Sequence, residues 1–208
     1  DALTEAFYHS CVDLGIPEAG DYNGQHYEGV SYLQLSTRSG IRCSSATGYL
    51  PKIRSLSNFT LITNTVVTKV LVDGKEATGV CIQNRDGSQQ NVYANREEIL
   101  SAGALGSPRL LELSGIGNSA ILRNAGIEPI HNLPGVGENL VDHLNTRIAY
   151  RCTKGITIND ALNRASYGAR LGLQYLFKRR GLLATPSVTV HALVRGRQSD
   201  TRPNIKLQ

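Results

Sequence analysis

The chain has 208 residues, a formal net charge of +5 from 22 Lys+Arg against 17 Asp+Glu, and no methionine. Hydrophobic residues at 40% and charged residues at 19% suit a globular chain with a buried core, in one or two domains. No apolar run approaches the ~20 residues that cross a bilayer as a helix, and the one dense basic group, Lys178-Arg179-Arg180, closes a predicted helix rather than forming a nucleic-acid surface.

The absence of methionine predicts a piece excised from a longer chain. Cys11, Cys43, Cys81 and Cys152 are widely spaced and form no CxxC or Cys/His ligand pattern. They read as small buried hydrophobes, which favours a reducing compartment such as the cytoplasm.

In chain order, Leu3, Phe7, Cys11 and Leu14 predict a helix over residues 2–15, ended by Gly15. A Gly- and Tyr-rich stretch follows, and residues 32–37 predict a strand. Residues 42–50 predict a short helix stopped by Pro51. From residue 60 the Val/Ile/Thr content predicts an antiparallel meander: 60–72, then Asp73-Gly74, then 78–83, then Asp86-Gly87, then 90–94.

Residues 98–102 predict a short strand entering a small-residue turn at Ser101-Ala102-Gly103-Ala104. Ser107 is placed as an N-cap with Pro108 at the first helical position. Residues 119–125 predict a second helix and 131–145 a loop. An apolar stripe of Leu162, Ala165, Ala169, Leu173, Leu176 and Phe177 predicts one long helix over 159–180, closed by Gly181. Residues 186–194 predict a strand, and Ile205 to Gln208 the beginning of another. The sum is a mixed α/β (α+β) chain.

Gly115-Ile116-Gly117-Asn118-Ser119-Ala120 fits the G-x-G-x-x-A dinucleotide pattern, which requires a strand before it and a helix after it. A predicted helix precedes it here, so the pattern is a decoy. The turn at residues 101–104 has the right context, because small residues let a ligand approach the backbone. On the residues alone, a ligand site and a plain packed turn are both compatible with it. No G-x-S-x-G elbow supplies a hydrolase nucleophile. His9, His26, His131, His143 and His191 show no metal-ligand spacing, and Asp142-His143 reads as a structural hydrogen bond. The residues themselves define no catalytic constellation and no metal site.

A more specific pattern lies at residues 103–117. Gly103-Ala104-Leu105-Gly106-Ser107-Pro108-Arg109-Leu110-Leu111-Glu112-Leu113-Ser114-Gly115-Ile116-Gly117 resembles the second signature of the glucose–methanol–choline (GMC) flavoprotein oxidoreductases. The stretch Leu133-Pro134-Gly135-Val136-Gly137-Glu138-Asn139-Leu140-Val141-Asp142-His143 is similar to the segment that follows it in that family. So are Asp21-Tyr22-Asn23-Gly24 and Gly40-Ile41-Arg42-Cys43 upstream, and the choline-dehydrogenase-like members look closest. Thr47-Gly48 and Leu56-Ser57 depart from the family pattern, which bears on local packing.

The resemblance implies a partial FAD/NAD(P)-binding Rossmann-like domain with a β-meander, plus a partial antiparallel-sheet substrate domain. It divides the chain into a connecting or substrate-domain portion (1–50), an FAD-binding portion (51–145) and a substrate-binding portion (146–208). It implies FAD as cofactor and a small-molecule alcohol as substrate, oxidised by hydride transfer to flavin N5. A GMC-fold lyase, or a fragment with no activity of its own, is the alternative. Val67 is implied to meet the adenine through its backbone, and Ser101, Ala102 and Gly103 to approach FAD. The strand carrying His191 is implied to lie in the substrate domain. No catalytic residue is implied within these 208 residues, and the rest of a parent polypeptide is the expected partner.

Overall fold

A computed structural model of the chain describes residues 1–186 and 188–208. The first half comprises α1 (Ala2–Asp13), β1 (Gly29–Tyr32), β2 (Thr37–Arg38), β3 (Ile41–Arg42), α2 (Ser45–Gly48), α3 (Leu50–Ile53), β4 (Val66–Asp73), β5 (Glu76–Gln83) and β6 (Gln89–Tyr93). It continues with α4 (Gly103–Leu113), β7 (Ile116–Gly117), α5 (Ser119–Asn124), β8 (His131–Asn132), α6 (Ile158–Leu162), α7 (Ala165–Lys178), a 3-10 turn (Leu182–Ala184), β9 (Val190–Val194) and β10 (Ile205–Leu207). The fold is mixed α/β with three antiparallel sheets and one short parallel pair among the described residues. It divides into two compact units, residues 1–56 with 148–208, and residues 57–147.

In the first unit, β1, β9 and β10 form an antiparallel sheet in that order. Helix α1 covers one face. Its start is fixed by Asp1, whose carboxylate accepts the N–H groups of Leu3 and Thr4. Its Cys11 packs with Val30, Val190 and Ala192, surrounded by Phe7, Tyr8, Val12, Ile16 and Val194. Burying a Val side chain in such a cluster contributes about 1.5–3 kcal/mol. Because strand side chains alternate, the opposite face carries Ser31 and His191, which are directly paired across β1 and β9.

Several predicted boundaries move. Helix α1 ends at Asp13, ahead of Gly15. The strand predicted over 32–37 is displaced: β1 ends at Tyr32, and Thr37–Arg38 pairs back on Ile41–Arg42. Ser39 and Gly40 between them have φ of 50° and 69°, the geometry of a two-residue hairpin loop. The helix predicted over 42–50 is two short ones. Ser44 and Thr47 close a reciprocal capping box on α2, and Pro51 sits in the first turn of α3 instead of ending a helix.

The helix predicted over 159–180 is broken at Asn163 and Arg164, where Arg164 is extended at φ −118°, ψ 105°. The Thr157 hydroxyl accepts the Asp160 N–H and so starts α6 separately. The Leu162 side chain lies outside the described ones. Helix α7 ends at Arg179, left-handed at φ 50°, with its guanidinium 5.0 Å from the Tyr175 ring centre. The final strand starts at Val190; Ser187, within the predicted strand, lies outside the described residues.

In the second unit the predicted meander stands, with strand order β4-β5-β6, but its first strand starts at Val66 and residues 60–65 are not strand. At its second turn the Asp86 carboxylate accepts both the N–H and the hydroxyl of Ser88. Those bonds hold the Asp86 carboxyl below the usual carboxylate range. Helix α4 packs on β4, and α5 connects the parallel pair β7 and β8. Asn118 caps α5 by accepting the N–H groups of Ala120 and Ile121, and Leu122 is fully buried behind it. Two expectations fail here. Residues 98–100 form no strand, and α4 begins at Gly103, four residues before Ser107. Pro108 is therefore inside the helix, where the Ala104 carbonyl loses the N–H it would have accepted.

Candidate cofactor-binding site

Ser101, Ala102 and Gly103 form the exposed entry to α4. Gly103 has φ +86°, and a β-carbon built there would meet no atom within 4 Å. Glycine is therefore dictated by the backbone conformation, and the space in front of it is open. Among the described residues no side chain caps this helix through Ala102. The Ala102 N–H is taken from within, by the Ser107 hydroxyl at 3.0 Å. The first-turn amides thus form the positive end of an 11-residue helix beside uncrowded backbone.

Val67 lies on β4, an edge strand of the meander, and is 40% exposed. It pairs with Ile82, and the ladder slips between Val67 and Lys69, a β-bulge. The structure keeps Ser101, Ala102 and Gly103 together at one helix entry and places Val67 on a separate element of the same unit. The link between those elements is Ser114, completely buried, whose hydroxyl accepts the N–H of Val70 at 2.8 Å and donates to the Leu110 carbonyl at 2.6 Å. The residues fit a dinucleotide cofactor on these grounds: small side chains, an open Gly103, a helix start without a side-chain cap, and an exposed apolar edge at Val66 and Val67.

Other sequence candidates separate from this surface. The G-x-G-x-x-A stretch does follow a helix, α4, and the helix after it has six residues. Gly115 is needed for packing: φ is +86° and a β-carbon would stand 2.7 Å from the Glu128 carbonyl oxygen. The Asp142 carboxylate accepts the backbone N–H of His143 at 2.7 Å.

The first unit holds an open cleft of about 740 Å³ whose lining includes Glu18, Asp21, Glu28, Tyr27 and Arg195. Its carboxylates have internal partners. Glu28 pairs with Arg195 at 2.8 Å, Asp21 accepts the Gln34 amide at 2.7 Å, and Glu18 accepts the Tyr8 hydroxyl. That bond to Glu18 is the main reason the Tyr8 phenol is pushed up to about 12.

His191 is 3% exposed, and among the described residues neither ring nitrogen has a hydrogen-bond partner. The Tyr22 ring stands edge-on at 4.5 Å. Burial, and next the charge of Lys206, pushes the imidazole below its ordinary value. Sequence reasoning singled out His191 but missed Ser31 and Tyr22, because strand register between distant segments leaves no local signal.

The chain combines a β-meander, a helix packed on its edge strand and an uncrowded Ser-Ala-Gly helix entry in one mixed α/β unit. The sequence matches the family described as GMC oxidoreductase over residues 1–145, and the chain belongs to that family. It is 42% identical over 204 residues to an oxygen-dependent choline dehydrogenase of Photobacterium profundum, covering 98% of this chain and 36% of the relative. It is 39% identical to the protein of that name from Vibrio vulnificus, with the same coverage. Among solved structures, a fungal aryl-alcohol oxidase superposes with TM-score 0.80 at 25% identity, over 91% of this chain and 33% of that one. An FAD-dependent oxidoreductase from Chaetomium thermophilum gives 0.76 at 26%, over 91% and 34%. The chain thus spans about a third of the length of the relatives it matches. Among the described residues no helix is long and apolar enough to cross a membrane.

Proposed function

We propose that the chain is part of an FAD-dependent oxidoreductase that oxidises an alcohol CH–OH group. The observation that carries this reading is the family match over residues 1–145, which includes the uncrowded entry to α4. Bound FAD supplies the hydride acceptor. The chain's own part is positioning. The backbone of Ser101, Ala102 and Gly103 lies against the cofactor, and α4 turns its positive end toward the cofactor's negative charge. Val67 meets the adenine through its main chain, which is why a plain apolar side chain suffices there.

The unit of residues 57–147 belongs, in this reading, to the FAD-binding domain, and the β1-β9-β10 sheet to the substrate domain. The substrate is a small alcohol, with choline the first candidate because the relatives quoted above carry that name. The proton-accepting base of the reaction is assigned to none of these 208 residues. The test is the visible spectrum of the purified full gene product. Flavin absorbance bound in about equimolar amount supports the reading, and a colourless, correctly folded protein that takes up no FAD on titration sinks it.

A further inference from the structure

We propose that Ser31 and His191 together hold one hydroxyl group on the face of the β1-β9-β10 sheet opposite α1. The two residues are directly opposed in the antiparallel register, so their side chains leave the sheet on the same face, away from α1. Their β-carbons are therefore roughly 5 Å apart, a span that a single bridging oxygen fits. Ser31 is 4% exposed and His191 3%, and among the described residues Ser31 Oγ, His191 Nδ1 and His191 Nε2 have no hydrogen-bond partner. Buried polar atoms are nearly always hydrogen-bonded, so three orphans at one cross-strand position mark the place of a partner.

The chemistry of that partner follows from the groups present. A neutral imidazole offers one donor and one acceptor, and serine offers the same. A ligand that bridges one ring nitrogen and Ser31 Oγ donates to one and accepts from the other through a single small atom, which describes a hydroxyl group; the second ring nitrogen, on the far edge of the ring, is not served by it. The ammonium of Lys206, on the neighbouring strand, disfavours a protonated ring. Tyr22 packs its ring edge against the imidazole, and its hydroxyl oxygen accepts the Gln34 N–H at 3.0 Å.

The hydroxyl belongs either to the alcohol being oxidised, in which case the assignment rests on the function proposed above, or to a buried water, in which case it does not. Thermal denaturation of the full gene product separates the two. The proteins compared are wild type, Ser31→Ala, His191→Leu, His191→Gln and the Ser31→Ala/His191→Leu double variant, each with and without choline or benzyl alcohol. Each of Ser31→Ala and His191→Leu is expected to lower Tm by about 2 °C or more. The double variant is expected to lose clearly less than the sum, because the second substitution removes a group already orphaned. His191→Gln, which keeps a donor and an acceptor, is expected to retain more of the wild-type Tm than His191→Leu, and with Ser31→Ala it carries the test if His191→Leu does not fold.

If the hydroxyl is the alcohol's, one of the probes raises the wild-type Tm, and His191→Leu abolishes that shift while His191→Gln preserves it. If it is water's, the coupling persists and any probe-induced shift is the same in every variant. Single substitutions that are neutral or stabilising, with additive effects in the double variant, overturn the site. A wild type that shows the coupling but binds no flavin rejects the oxidoreductase reading and leaves the hydroxyl site standing.

Discussion

The hydroxyl of Ser114 accepts the N–H of Val70 at 2.8 Å, in a position with no solvent exposure. This one bond joins the end of α4 to an edge strand whose backbone would otherwise carry an unpaired donor. The same oxygen donates to Leu110, so both its capacities are filled. Ser114→Ala leaves the Val70 N–H buried and orphaned, which costs about 1–3 kcal/mol. Urea denaturation of the full gene product should show a lower midpoint with an unchanged slope. An unchanged midpoint would mean the bond is not formed.

Gly115, the next residue, meets two penalties at once. Its φ of +86° strains any L-residue, and an added β-carbon would overlap the Glu128 carbonyl and stand 2.9 Å from the Ile130 side chain. Gly115→Ala should therefore destabilise by more than the ~1–2 kcal/mol expected of backbone handedness alone. The measurement is the same denaturation curve, with Gly126→Ala as the control: that site has φ +75° but nothing within 4 Å. Equal losses at the two positions would contradict the packing argument.

Gly103 discriminates between a packed turn and a cofactor contact. The chain itself does not crowd its β-carbon position, so Gly103→Ala should lose only the handedness penalty, about 1–2 kcal/mol, in protein stripped of cofactor. If FAD approaches the backbone there, the same variant loses flavin far out of proportion, by tenfold or more in dissociation constant. Flavin retained as tightly as in wild type would remove Ser101, Ala102 and Gly103 from the cofactor surface.

His191 gives stability a pH dependence of known sign. Burial depresses its folded value below the ordinary 6.5, so in the window beneath that value the unfolded chain binds the proton first. Stability from this group is fully present above about pH 6.5 and is lost as pH falls toward the folded value. The groups that bear on the ring are Tyr22, Ser31 and Lys206. Denaturation midpoints measured from about pH 7.5 down to about pH 5 should fall more steeply for wild type than for His191→Leu. Parallel curves would show that the imidazole titrates normally.

The parts of this fold legible in the sequence are those fixed by local chemistry. The meander announces itself through the Val/Ile/Thr runs around Asp73-Gly74 and Asp86-Gly87, and each turn has the residues its geometry needs. Misreadings arose where two local signals compete. Ser107-Pro108 looks like a helix start, but the positive φ of Gly103 lets the chain enter the helix earlier, and Ser107 bonds back to Ala102 from within. The apolar stripe from Leu162 to Phe177 runs through a break at Arg164, because periodicity is blind to a single extended residue. The Ser31–His191 pair is non-local, set only when β1 docks on β9. The small-residue turn at residues 101–104 is legible both from its context and from the resemblance; its open space at Gly103 is visible only in three dimensions.

The central claim is that this chain helps to position FAD for alcohol oxidation. The most direct test is anaerobic mixing of the flavin-loaded full gene product with choline, followed with a panel of small primary alcohols, while the flavin absorbance is recorded. The account predicts that one of these alcohols bleaches the oxidised flavin band, with the corresponding aldehyde formed in equal amount. Flavin that stays oxidised under every alcohol, as in a lyase that keeps the cofactor for structure, would contradict it.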